Sequence, residues 1–265
     1  MRHKTGEQTM PNEEFKAEMN GFSNIDHVIG VVSGKGCVGK SMVTASLSNA
    51  LSAQGYRVGI LDADITGPSI PKMYDIHEHA MSDTNGIYPA ISGNGIEIMS
   101  TNLVLENEED PVVWRGPVIA GVVKQFWTDV IWGTLDYLLI DMPPGTGDVP
   151  LTVYQSLPIE GVLIVTSPQD LVRMIVTKAY KMAQMMDIPV LGIIENYSYL
   201  VCPDCGRKIS VFGESHIDEI AEELGTTVLG KIPMDAEVAK AADEGAYAGV
   251  LSEHLDDAIV AVTKL

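Results

Sequence analysis

Cations are scarce in this sequence: 17 Lys and Arg stand against 36 Asp and Glu, a formal net charge of −19. A surface this acidic repels nucleic acid phosphates and anionic membrane leaflets, and no basic run interrupts it. No nucleic acid and no membrane partner is therefore expected. Cysteine is almost absent, with only Cys37, Cys202 and Cys205. An odd, sparse count does not build the disulfide framework of a small secreted domain. The longest apolar runs are strand-sized, too short for a transmembrane helix. The opening segment MRHKTGEQTMPNEEFKAEMNG lacks the apolar core of a signal peptide. Internal repeats and low-complexity linkers are missing as well. These absences point to a cytoplasmic protein.

What is present suits one large α/β domain: 265 residues with 46% hydrophobic content. Residues 1–25 read as a polar tail and 26–265 as the domain. Short apolar runs alternate with longer stretches of 3.6-residue periodicity, the pattern of buried strands and covering helices. Strands are expected at 27–33, 57–61, 96–99, 137–140, 161–166, 190–194 and 227–229. Helices are expected at 41–54, 117–130, 171–186, 236–243 and 252–264, with loops at 83–95, 106–115 and 198–206. The alternation predicts a mostly parallel β-sheet with helices on both faces, and ligands at the carboxyl ends of its strands.

Gly34-Lys35-Gly36-Cys37-Val38-Gly39-Lys40-Ser41 satisfies G-x-x-x-x-G-K-[ST] between an apolar strand and a helix, the setting that a phosphate-binding P-loop requires. Glycines let backbone N–H groups converge on phosphate oxygens, and the helix N-terminus adds its positive end. Lys40 is expected on the β- and γ-phosphates of ATP, and Ser41 on Mg²⁺. Lys35 is a second lysine in the loop. It either stays solvated beside the triphosphate or reaches a facing subunit's nucleotide to stabilise transition-state charge, as an arginine finger does.

The loop GKGCVGKS is accompanied by LDADITGPSIP (Leu61 to Pro71), WRGP (Trp114 to Pro117) and WGTLDYLLIDMPPGTGD (Trp132 to Asp148). PQD (Pro168 to Asp170), IENYS (Ile194 to Ser198) and CPDCG (Cys202 to Gly206) follow. With these motifs the chain resembles the Mrp/ApbC-type iron–sulfur cluster carriers, within the MinD/ParA and nitrogenase iron-protein superfamily. The resemblance spans residues 26–249 and implies a dimer-forming ATPase. It casts Asp141 as the Walker B-like residue, Gly145 as a backbone donor to the γ-phosphate, and Asp64 as the carboxylate that positions the attacking water. Asp62 would support the magnesium water shell and Asn196 the adenine edge. Each aspartate has a blander alternative as a helix cap or turn residue. Cys37 departs from the pattern, since the family usually has glycine there.

Cys202 and Cys205 are spaced as a metal knuckle, with Gly206 allowing the tight turn. Two thiolates are half of a four-cysteine site, and a two-fold dimer supplies the rest. Three occupants remain open: a bridging [4Fe-4S] cluster, which the resemblance implies, a bridging zinc ion, or a redox dithiol. The expected function is an ATP-hydrolysing carrier that holds a cluster between two subunits of a homodimer and passes it to apo iron–sulfur proteins. The alternatives are a MinD/ParA-like regulatory ATPase and a zinc-stapled nucleotide-binding dimer.

Overall fold

The computed structural model describes residues 17–65, 67–105, 116–169 and 172–265. The chain opens with β1 (Asn24–Val32), α1 (Lys40–Ala53), β2 (Val58–Asp62) and the single turn α2 (Ile70–Met73). Then come β3 (Ala90–Ile91), β4 (Glu97–Met99), α3 (Gly116–Thr128), β5 (Thr134–Asp141), α4 (Asp148–Ser156) and β6 (Gly161–Thr166). The remainder is α5 (Val172–Met185), β7 (Val190–Glu195), β8 (Leu200–Val201), β9 (Lys208–Ile209), α6 (Ile217–Leu224), β10 (Val228–Lys231), α7 (Ala236–Asp243) and α8 (Asp256–Val262).

Eight strands form one sheet in the order β10-β7-β6-β1-β5-β2-β4-β3, and β8 and β9 make a separate two-stranded hairpin. Every pairing in the large sheet is parallel except β3 with β4. The central strands β2 and β6 are buried at every position. A strand covered on both faces needs apolar residues on both, which is why these runs are continuous rather than alternating. Successive residues still serve opposite cores. Val162 and Ile164 belong to one core, with Phe126 of α3, Tyr154 of α4, Val176 of α5 and Ile220 of α6. Leu163 and Val165 belong to the core on the other face, with Leu47 of α1, Ile70 of α2 and Ile259 of α8. Each such side chain contributes about 1.5–3 kcal/mol over leaving it exposed, so the cores fix the sheet and leave the loops at its carboxyl edge available for chemistry.

The expected sheet is present, with several differences. Residues 17–25 are not a free tail: Ala17 N–H donates to Ser156 O, Trp127 Nε1 donates to Ala17 O, and β1 begins at Asn24. The segment 83–95, expected as a loop, contains β3, whose antiparallel pairing ends the sheet at that edge. The segment 198–206 contains β8. Helix α4 is unexpected from the sequence, since its Gly-Asp-Val-Pro start looks like a turn. The region 252–264 is a 3₁₀ turn at Glu253–Leu255 followed by the shorter α8. The expected loop 106–115, with Trp114 and Arg115, lies outside the described residues.

Candidate functional site

β1 lies between β5 and β6, and the chain winds from it toward both edges, so the β1–α1 connection sits at the sheet's switch point. Helix α1 starts with Gly39 at φ +75°, no side-chain cap and no acidic residue in its first turn. The positive end of its dipole is thus left for an anion. Two glycines of the loop are required sterically. A Cβ on Gly34 would stand 2.3 Å from Ile175 Cγ2, and one on Gly39 would stand 2.2 Å from Asn196 Nδ2. Gly36 has open space. Val38 is buried, whereas Cys37 is exposed and adopts φ +60°, the left-handed region that glycine occupies without strain.

Lys40 is only 5% exposed. Its Nζ lies 2.8 Å from Asp141 Oδ2 and 3.7 Å from Asp64 Oδ2, yet makes no aligned hydrogen bond. The ion pair with Asp141 offsets the burial of this ammonium, and its remaining donors suit a further anionic acceptor. Asp141, the last residue of β5, is fully buried and accepts Ser41 Oγ–H at 2.5 Å and Thr44 Oγ1–H at 2.8 Å. Asp62, its neighbour across the β2–β5 ladder, is buried as well. It accepts the Asp64 N–H at 3.2 Å, the Ser100 hydroxyl at 3.2 Å and the Ile70 N–H at 3.4 Å. Burial, and then the charge of Asp141, push its carboxyl up to about 8 against the opposing pull of Lys40. The structure therefore gathers Lys40, Ser41, Asp62, Asp64 and Asp141 at one end of the sheet.

Three other expected site residues are engaged within the chain. Lys35 Nζ donates to Gln169 Oε1 at 2.5 Å. Gly145 N–H donates to the Ser33 carbonyl at 2.9 Å. Asn196 is fully buried and its amide donates to the Val38 carbonyl at 3.0 Å, which fastens the phosphate loop to the end of β7. This placement gives Asn196 a structural task that the adenine-edge expectation did not include.

A groove of about 600 Å³ runs along the loop, lined by Cys37, Lys40, Ser41, Asp64 and Tyr197. It shares Met42, Tyr197 and Ala239 with an adjoining pocket of about 460 Å³ whose walls include Val43, Pro233, Val238 and Val250. A charged trough joined to an apolar pocket suits a molecule with a phosphate chain at one end and a flat apolar ring at the other. The sequence reading missed Thr44, Ser100 and Tyr197. Thr44 carried a usable signal, since it lies one helical turn beyond Lys40 on the same face of α1. Tyr197 lay inside the motif IENYS without a role given to it, and Ser100 carried no signal.

Cys202 and Cys205 sit on the turn of the β8–β9 hairpin. Cys202 N–H donates to Arg207 O, and Gly206 N–H, at φ +70°, donates to Cys202 O, both at 2.9 Å. Hydrogen bonds from the Asp204 and Cys205 backbone N–H groups, then from the Cys205 thiol, lower the Cys202 thiol below its ordinary range. Both cysteines are free thiols. Among the described residues no group of three or more metal-ligating side chains occurs, so the hairpin offers two ligands from one chain. Around it Leu200, Val201, Ile209, Val211 and Phe212 are exposed. No helix among the described residues is long and apolar enough to cross a membrane.

Comparison with known proteins adds an independent line. The ParA-group profile described as NUBPL iron-transfer P-loop NTPase matches residues 24–264. The iron-sulfur cluster carrier protein of Methanocaldococcus jannaschii is 48% identical over 226 residues, 84% of this chain and 78% of that one. The protein of the same description from Clostridium perfringens is 47% identical over 232 residues, covering 84% and 81%. A nucleotide-binding protein from Archaeoglobus fulgidus, solved in complex with ADP and with cobalt found in it, superposes with a TM-score of 0.79 at 40% identity, covering 88% of this chain and 91% of its own. The MinC:MinD cell division complex of Aquifex aeolicus superposes at 0.64 with 18% identity over 90% and 96%, a likeness of fold alone.

Proposed function

This chain belongs to the ParA-related iron-transfer P-loop NTPases, the family of the iron–sulfur cluster carriers, and from that premise we propose that it hydrolyses ATP and carries a [4Fe-4S] cluster between two subunits to apo-proteins. The observation that carries the cargo assignment is the pair Cys202 and Cys205, two free thiols on one turn whose N–H groups favour the Cys202 thiolate. Thiolates are the ligands of choice for iron–sulfur clusters. Four are needed, and a two-fold dimer meets that count. The exposed apolar residues around the hairpin, Leu200 to Phe212, form a collar that a second subunit would cover.

The nucleotide part follows from the phosphate loop. The buried ammonium of Lys40, the uncapped start of α1 and the Ser41 hydroxyl beside Asp141 fit a Mg²⁺-bound triphosphate. When bound, Mg²⁺ neutralises phosphate charge. Lys40 bridges the terminal phosphates. Ser41 and Asp141 would hold the metal, and Thr44 keeps the Asp141 carboxylate oriented. Asp64 orients the attacking water, with Asp62 behind it on the same strand end. The apolar pocket takes the adenine. Lys35 leaves Gln169 and reaches the facing subunit's nucleotide.

Anaerobic reconstitution tests this reading. About four irons and four sulfides per dimer are expected, with sedimentation as a dimer, and iron lost in Cys202→Ala and Cys205→Ala. Lys40→Ala is expected to lose ATP hydrolysis. A monomer with a full cluster, a chain that takes zinc and rejects iron, or undiminished hydrolysis in Lys40→Ala would overturn the corresponding part.

A further inference from the structure

The phosphate loop and the cysteine hairpin are joined through four consecutive residues, and the first of them is used by neither site. Glu195 ends β7 with its side chain fully buried. One carboxylate oxygen accepts the Ser198 hydroxyl at 2.5 Å and the other accepts the Ser215 hydroxyl. These serines bracket the excursion that holds Cys202 and Cys205. Ser198 is where the chain leaves the sheet, and Ser215 is where it returns to begin α6, its Oγ accepting the Ile217 N–H at 3.2 Å. Both feet of the cysteine-bearing arm therefore stand on one buried carboxylate.

Of the two residues between Glu195 and Ser198, Tyr197 lines the nucleotide groove and Asn196 is buried against the phosphate loop. Asn196 donates to the Val38 carbonyl, and Tyr197 lines both the phosphate trough and the apolar pocket. Tyr197 has φ +57°, a left-handed conformation that costs a non-glycine residue on the order of 1 kcal/mol. Strain of this kind persists only where the surroundings enforce it.

We propose that residues 195–198 link occupancy of the nucleotide groove to the geometry of the cysteine pair, with Glu195 as the positioning residue that holds both feet of the arm. The proposal rests on the nucleotide-binding reading of the groove. A ligand in the groove bears on Tyr197 and steadies Asn196. Neither can move without disturbing the hydrogen bonds of Glu195, and a buried carboxylate does not give up a partner cheaply. The segment thus shifts as a unit, and by reciprocity cysteine ligation also alters nucleotide affinity.

The test is the rate at which iodoacetamide labels Cys202 and Cys205 in the metal-free full chain, resolved by peptide mass spectrometry, with and without Mg-ADP. ADP is expected to slow labelling by about fivefold or more, the lower end of ordinary coupling between sites. Ser215→Ala releases one foot while leaving the contacts of Asn196 in place, and Ser198→Ala releases the other. Each is expected to shrink the ADP effect below about twofold while ADP affinity by calorimetry stays within about twofold, the range of a substitution outside the ligand contacts. Ser215→Thr keeps the hydroxyl and is expected to restore the response. ADP binding without change in wild-type labelling overturns the link alone, as does a full response in either folded alanine variant. Failure of wild type to bind ADP overturns the nucleotide reading first and the link with it.

Discussion

At Cys37 a side chain occupies backbone space suited to glycine: φ is +60° in the middle of the phosphate loop. Replacing it with glycine removes the Cβ strain but adds freedom to the unfolded chain, so Cys37→Gly is expected to raise stability by a net of about 0.5–1 kcal/mol. The urea midpoint should rise at unchanged slope, and a fall would show that the thiol makes contacts worth more than the strain. Asp62 is the second residue whose state is set by its surroundings. Its carboxyl pKa is raised on folding, from 3.8 to about 8, so the folded chain binds this proton more tightly than the unfolded chain. As far as this group is concerned, stability is full below about pH 4 and declines as pH rises toward 8. Glu97, which burial pushes up to about 7, adds a slope of the same direction. Without nucleotide, Asp62→Asn should flatten the decline between these limits and leave the contribution of Glu97. Identical pH profiles for wild type and variant would mean that Asp62 stays charged in the folded chain.

At the scale of elements, the phosphate loop shows how one motif mixes positions under different constraints. Gly34 packs against α5, and an added Cβ would meet the Ile175 carbonyl oxygen at 2.6 Å as well as its side chain. Backbone inside a helix cannot step aside, so Gly34→Ala should cost about 2 kcal/mol or more. Gly36 meets nothing within 4 Å, and Gly36→Ala should change stability by no more than about 0.5 kcal/mol. Denaturant titration of the two variants reads the difference directly, and equal losses would show that the loop packs differently against α5. The β8–β9 hairpin is the opposite kind of element. Its strands are two residues each and exposed, and neither belongs to the sheet. It can change shape on metal binding at little cost to the core, because local stability follows local burial.

For the whole molecule, charge sets the terms of assembly. Each chain carries −19, so two subunits repel one another until salt screens them. The apolar collar at Leu200, Val201, Ile209, Val211 and Phe212 supplies attraction that salt does not weaken. Cluster-loaded dimer should therefore tighten as ionic strength rises from low to physiological values, and sedimentation at a series of salt concentrations measures this. Loosening with salt would point to an interface held by ion pairs instead. In that dimer Lys35 must exchange Gln169 for the partner's phosphate. Lys35→Ala should then lower turnover by at least about tenfold while changing nucleotide affinity much less, the signature of a contact made in the transition state.

Contiguous chemistry was legible in the sequence. The phosphate loop lies within eight residues and the cysteine pair within four, and both are spelled by neighbours along the chain. Strand and helix order followed from local periodicity, since both sheet faces must be covered by apolar side chains. What the tertiary structure decided is whatever joins distant segments. Thr44 reaches Asp141 from 97 residues away, Asn196 reaches Val38 from 158 away, and Glu195 meets Ser215 across 20. No local pattern encodes such pairs, because neither partner's sequence neighbours carry any sign of the other until the sheet brings them together. The antiparallel edge of β3 and the start of α4 escaped for a related reason: two residues of strand and a proline-bearing first turn carry too little periodicity to be read, and packing against the rest of the fold determines them.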